Sequence, residues 1–163
     1  MILKNYYHAL SIMALNSSVS MTGVQGSTYN SFSASSVYKL LALKSAMATV
    51  CLNTYGTGVV FGTGRTAEAL ADYKLSGTQI TTLSGAGQVK SSLSGDILTL
   101  TSVLTVTNIS SSEITIGEVG LQINYTGNWS FMLDRTLLEE AITVPAGGVA
   151  QITYTIKLVY PND

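Results

Sequence analysis

The chain has 163 residues and a formal net charge of −1, with 46% hydrophobic residues, 10% charged residues and a mean hydropathy of +0.34. Ordinary globular proteins carry about 25% charged residues, so hydroxyls must build much of this surface, and the apolar content excludes a disordered chain. The few charges are scattered rather than gathered into a basic stripe, so neither nucleic acid nor a bare membrane is expected as a partner.

Leu3, Tyr6, Tyr7, Leu10 and then Met13 or Ala14 recur at spacings of three and four, which predicts one amphipathic helix over residues 2–15. Asn5, Tyr6, Tyr7 and His8 interrupt any apolar core of a leader peptide, so none is expected. Residues 16–36 are mostly Ser, Thr, Gly and Asn with isolated Val24, Tyr29 and Phe32, and read as a loop or irregular edge strand. Residues 1–50 are therefore expected to form a helix or extended arm that either the body or a neighbouring subunit covers, with Leu3, Tyr6, Tyr7 and Leu10 as its contact stripe on neighbours. The apolar stretch Leu40 to Leu52 is broken by Lys44 and Ser45 and is shorter than the ~20 residues that span a bilayer. Cys51, the one cysteine, lies within it and reads as a small buried hydrophobe.

Residues 51–163 are expected to form the β domain. Ile97 to Thr107 alternates, with Leu98, Leu100, Leu104 and Val106 on one face and threonines on the other. Ile152, Tyr154, Ile156 and Leu158 repeat the pattern in the last strand, and Phe131, Leu133 and Leu137 form a third set. Turn signals separate them at Asn108 to Ser112, Tyr125 to Asn128 and Pro145 to Gly148. The fold class this predicts is all-β, an antiparallel, jelly-roll-like β-sandwich with an N-terminal helix or arm. Within Ile114 to Ile123 the apolar residues change parity, from Ile114 and Ile116 to Val119, Leu121 and Ile123, which predicts a β-bulge at Gly117.

Few residues carry the marks of chemistry. His8 is the only histidine and sits on the predicted helix, and the pairs Gly56-Thr57-Gly58 and Gly62-Thr63-Gly64 lack the third glycine of a dinucleotide fingerprint. No enzyme activity, cofactor or metal is expected. Glu118, Asp134, Glu139 and Glu140 are the carboxylates a glycosidase would draw on, with Glu139 and Glu140 read as solvated residues beside a turn. Glu118 and Arg135 each interrupt an apolar strand face, and an inward-pointing charge is tolerable only when paired, so they are expected to form a structural ion pair. Tyr125 and Trp129 flank a turn and are candidates for an exposed contact tip, with a plug at one end of the core as the plainer role. Four Asn-x-Ser/Thr sequons, at Asn16, Asn108, Asn124 and Asn128, read as chance in so Ser/Thr-rich a chain.

Val59-Val60-Phe61-Gly62-Thr63-Gly64-Arg65-Thr66 is followed in order by Asp72-Tyr73-Lys74-Leu75, Val106-Thr107-Asn108, Ile116-Gly117-Glu118-Val119-Gly120-Leu121, Leu133-Asp134-Arg135, Val144-Pro145-Ala146-Gly147 and Thr153 to Ile156. This succession over roughly residues 55–160, with Lys4-Asn5-Tyr6-Tyr7 at the start, resembles small structural proteins of tailed bacteriophages. The resemblance implies a virion component with a β-sandwich body, made in the host cytoplasm, whose partners are other virion proteins and copies of itself. Its place would be the capsid surface, the neck or the tail. The alternative expectation is a carbohydrate-binding, host-adhesion module that stacks sugars on Tyr125 and Trp129.

Overall fold

A computed structural model of the chain describes residues 1–15, 20–30, 32 and 42–159, with the backbone alone described for 11–15. Among the described residues two helices, α1 (Lys4–Leu15) and α2 (Leu43–Met47), accompany nine strands: β1 (Met21–Thr22), β2 (Thr28–Tyr29), β3 (Gly58–Gly62), β4 (Gln79–Ile80), β5 (Leu83–Ser94), β6 (Ile97–Asn108), β7 (Ile114–Thr126), β8 (Trp129–Val144) and β9 (Val149–Val159). The strands form a four-stranded sheet, β4-β3-β7-β8, a three-stranded sheet, β5-β6-β9, and the small β1-β2 pair, all antiparallel. The two larger sheets pack face to face as an all-β sandwich.

Alternation decides which residues meet in the middle. β6 contributes Leu100, Leu104 and Val106, β9 contributes Ile152, Tyr154 and Ile156, and the facing sheet contributes Phe61, Ile116, Val119, Leu121, Ile123, Phe131 and Leu133. Ser102, also on the inner face of β6, is fully buried because its hydroxyl donates to the Met47 carbonyl at 2.6 Å. The hairpins close where glycine permits positive φ: Gly95 (+54°) in the two-residue turn between β5 and β6, and Gly147 (+68°) after Pro145 between β8 and β9.

The division expected at residue 50 is not what the described residues show. Tyr6, Ala9, Met21, Leu43, Ala46 and Met47 lie in the same core as the strands. Leu3 packs in a second apolar cluster with Cys51, Val60, Leu75 and Met132. The Leu3 amide donates to Leu133 O, the Arg135 amide donates to Met1 O, and Ile2 bridges Asp134, so the first residues lie along β8 as a short extra strand. Leu3 and Tyr6 are thus spent inside the chain, and of the predicted contact stripe only Tyr7 and Leu10 stay exposed. Residues 16–19, 31 and 33–41 of the predicted arm lie outside the described residues.

The bulge expected at Gly117 is part of a larger irregularity. Between the pairs Ile116 with Ile142 and Glu118 with Leu137, β7 advances two residues (116 to 118) while β8 advances five (137 to 142). The surplus residues therefore sit on β8, around Leu138 to Ala141. Gly117 is held by close approach, since a Cβ there would lie 2.4 Å from Gly64 O. Glu139 and Glu140 belong to this irregular stretch of a continuous strand and point to solvent, rather than standing beside a turn.

Candidate functional site

The segment from Thr63 to Thr78, between β3 and β4, lies over the irregularity and is fastened to it by buried charge. Glu118 is the centre. Its Oε1 accepts from the backbone amides of Gly77 (2.8 Å) and Gly64 (3.1 Å), and its Oε2 accepts from the Ser76 amide and hydroxyl (3.1 Å each) and from Arg135 Nε (2.7 Å). Burial alone would raise the Glu118 carboxyl, but the amides of Gly77 and Ser76 and the Arg135 guanidinium outweigh it and hold it below its ordinary value.

Arg135 and Glu118 are 1% and 0% exposed, so the pair expected from the sequence is formed and sealed. The guanidinium also bonds Asp72 Oδ2 at 2.5 Å, Thr66 O at 2.5 Å and Ala67 O at 3.3 Å. Four of its five N–H groups are occupied in this way. Asp72 in turn accepts the Ala69 amide at 2.9 Å, which shapes the short turn carrying it.

Two further side chains bond backbone groups at the irregularity. Arg65 donates to the carbonyls of Gly117 (3.4 Å), Leu138 (2.5 Å) and Glu139 (3.0 Å), and Glu68 Oε1 accepts the Leu137 amide at 2.6 Å. No buried side-chain polar atom among the described residues lacks a hydrogen bond. Chemically the arrangement is a clamp: a carboxylate saturated by five donors and closed to solvent has neither a free lone pair for proton transfer nor room for substrate. Among the described residues no open cleft reaches the Glu118 side chain, as a glycosidase would need.

A second polar tie joins the two sheets. Asp134 on β8 accepts from Tyr154 OH on β9 at 2.5 Å and from Thr136 Oγ1 at 3.2 Å, and lies 3.2 Å from the Met1 amino nitrogen. Burial raises the Asp134 carboxyl despite the favourable amine beside it, and burial together with the Asp134 charge pushes the Tyr154 phenol well up. A third tie closes one end of the sandwich. The Asn108 side-chain amide donates to Ser112, Val144 and Pro145 carbonyls (2.8, 3.0 and 3.0 Å), and its Oδ1 accepts the Ser110 amide and hydroxyl. Asn108 is fully buried, so this sequon is a fold residue.

Tyr125 and Trp129 are partly buried and sit in an aromatic cluster rather than at a free tip. Tyr29 lies 4.8 Å from Trp129 and 5.6 Å from Tyr125, Phe32 lies 5.1 Å from Tyr125, and Trp129 stacks on Phe131 at 6.5 Å and 17°. Cys51 is buried, with its thiol pushed up by burial and donating to Asn53 O. His8 Nδ1 lies 2.9 Å from Ser20 O. Among the described residues no helix is long and apolar enough to cross a membrane, and no group of three or more His, Cys, Asp or Glu is placed to hold a metal ion.

The apolar alternation pointed to Glu118, Arg135 and Gly117, whereas Arg65, Asp72 and Asn108 entered within the motifs of the resemblance, Asn108 also as a turn and sequon residue, and the Asp134 to Tyr154 bond was not foreseen. The available signal was proximity to glycine: Arg65 and Asp72 lie in the loop that leaves Gly62-Thr63-Gly64, whose glycines let that loop close on Glu118. No protein-family model, no curated protein and no solved structure matches the chain.

Proposed function

We propose that this chain is a structural protein of a bacteriophage virion that works by assembly contacts, as a capsid decoration, a neck or collar component or a tail component. The observation that carries the reading is where its motifs lie. Gly62 to Thr66, Asp72 to Leu75, Gly117-Glu118 and Arg135, which supply much of the resemblance to phage structural proteins, all meet in or against the clamp. A pattern of that kind preserves a shape. The shape in turn presents a broad, weakly charged surface, with Thr99, Thr101, Thr105, Thr153 and Thr155 on the outward face of the three-stranded sheet, which suits packing against neighbours.

The host-adhesion reading has less support, because Tyr125 and Trp129 spend ring surface on Tyr29, Phe32 and Phe131. The test is quantitative mass spectrometry of gradient-purified particles from the source of the chain. Constant stoichiometry to the major capsid protein across the particle peak supports the proposal, and absence from particles refutes it.

A further inference from the structure

The two large sheets have four edges, and three of them are short or covered. β4 is two residues long, Met1 to Leu3 run along β8, and residues 48 and 49 cross β5, where the Gly87 amide donates to Ala48 O and Thr49 bridges Ala86. β9 is the fourth edge. Its eleven residues keep unbroken register with β6, and among the described residues none of Val149–Val159 has a backbone hydrogen bond on the other side. The Asn108 amide donates to Gly148 O, next to the pair of Thr107 with Val149, so the odd-numbered residues of β9 turn their N–H and C=O groups away from β6. Val149, Gln151, Thr153, Thr155, Lys157 and Val159 therefore offer a row of backbone donors and acceptors, and their side chains are exposed on the outer face. Proteins blunt such an edge with proline, a bulge or an inward-pointing charge. β9 has none of these, and its one charge, Lys157, lies near one end.

We propose that β9 is the interface of a two-fold symmetric dimer, in which β9 of a second copy adds antiparallel to this edge and joins the two three-stranded sheets into one. The strand's own sequence argues for a second copy over any other strand. VAQITYTIKLV reads nearly the same in both directions about Tyr154. A two-fold axis beside Tyr154 sets Thr153, Gln151 and Val149 of one copy against Thr155, Lys157 and Val159 of the other, and each pair forms twice. These are the residues whose backbone groups face the edge, so both hydrogen bonds of every such pair can be exchanged. On the outer face threonine meets threonine, valine meets valine and the Gln151 amide oxygen meets the Lys157 ammonium, with no like charges opposed. On the core face Ile152 lies opposite Ile156, and Tyr154 opposite its own copy. An isologous interface requires a surface that complements itself, and a palindromic edge strand is one. The inference rests on the assembly reading above and deepens it by naming a partner.

The experiment is sedimentation velocity of the full chain over a concentration series up to about 0.1 mM, a range that captures micromolar dimers. The wild type is expected to move from monomer to dimer. Thr155→Pro removes an edge-facing N–H from each copy and none of the bonds to β6, and weakens the dimer by at least about tenfold. Two double variants test the register without touching the backbone. Thr153→Lys/Thr155→Lys opposes like charges across the axis and weakens the dimer, whereas Thr153→Lys/Thr155→Glu sets opposite charges there and binds at least as tightly as the wild type. Circular dichroism of every variant confirms the fold. A wild type that stays monomeric throughout overturns the proposal and leaves the edge to a strand of another protein. A dimer of equal affinity in the two charge variants also overturns it, because that dimer would use another face. Incorporation of the chain into particles without a solution dimer would sink this inference and leave the virion reading standing; a dimer that responds to the variants as stated, from a chain absent from particles, would do the reverse.

Discussion

Glu118 and Arg135 face each other from neighbouring strands with Nε and Oε2 2.7 Å apart, and both side chains are closed to water. A buried pair of this kind need not be stabilising in total, because each charge has lost its hydration. Its effect appears when one partner is removed. Glu118→Gln or Arg135→Met leaves the other charge buried and only partly compensated, and each is expected to lower unfolding free energy by about 3–5 kcal/mol. The double variant Glu118→Gln/Arg135→Met should lose clearly less than the sum. Urea denaturation of all four proteins gives the coupling, and additive losses would mean that the two side chains do not act as a unit.

Asn108 makes a sharper case, since it carries no charge. Asn108→Ala removes three donated and two accepted side-chain hydrogen bonds at the end of the sandwich and strands carbonyls of Val144 and Pro145. The expected loss is about 2–3 kcal/mol. Asn108→Asp should be worse than Asn108→Ala, because a carboxylate would face those carbonyls. Thermal unfolding of the two variants ranks them, and a better-folded aspartate variant would contradict the geometry.

Gly117 tests the close approach of the 63–78 segment. A methyl group there meets Gly64 O at 2.4 Å and Thr63 O at 3.0 Å, which are backbone atoms that cannot rotate away. Gly117→Ala is expected to cost about 1–3 kcal/mol through forced displacement of that segment. Gly127→Ala, at an exposed turn with no atom within 4 Å, serves as a comparison in which only positive-φ strain acts. Denaturant midpoints should show the larger loss at Gly117.

The two buried carboxylates pull stability in opposite directions with pH. Glu118, whose carboxyl is lowered in the folded protein, contributes stability above the unfolded value of about 4.3 and loses it as pH falls through its folded value. Asp134 is raised, so the folded protein holds its proton more readily; its contribution is present below about 3.9 and fades as pH rises through the folded value. Asp134→Asn keeps an acceptor for Tyr154 and removes the second trend. Relative to wild type, it should gain stability as pH rises from about 3.9 through the folded value of Asp134. Parallel wild-type and variant curves in urea unfolding over that range would show that Asp134 does not titrate as its surroundings require.

Which parts of this fold could be read from the chain follows from what each residue touches. β6 and β9 are legible because one face meets the core and the other water, so Leu100, Leu104, Ile152 and Ile156 alternate with threonines. β5, LSGAGQVKSSLS, has almost no such contrast: most of its residues are exposed on either face, and its strand form comes from twelve residues of unbroken register with β6. α2 is five residues long and owes its place to the burial of Leu43, Ala46 and Met47. Glu118 and Arg135 were visible because a charge in an apolar alternation demands a partner. Asp72 and Arg65 were not, since their partners lie 63 and 52 to 74 residues away and nothing local announces them. For the N-terminal segment the sequence left two covers open, the body or a neighbouring subunit, and the body supplies it. Its own stripe is too weak for a core, and what buries Leu3 and Tyr6 is the body formed by the rest of the chain.

The central claim is that a rigid sandwich, held by internal charge clamps, serves as a building block of a virion. The most direct measurement is a cryo-EM reconstruction of particles purified from the source of the chain, at a resolution that separates strands. The account predicts the four-plus-three sandwich, with the 63–78 segment over β7 and β8, repeated at symmetry-related positions on the capsid, neck or tail. A complete reconstruction in which every protein density is assigned to other chains would contradict it.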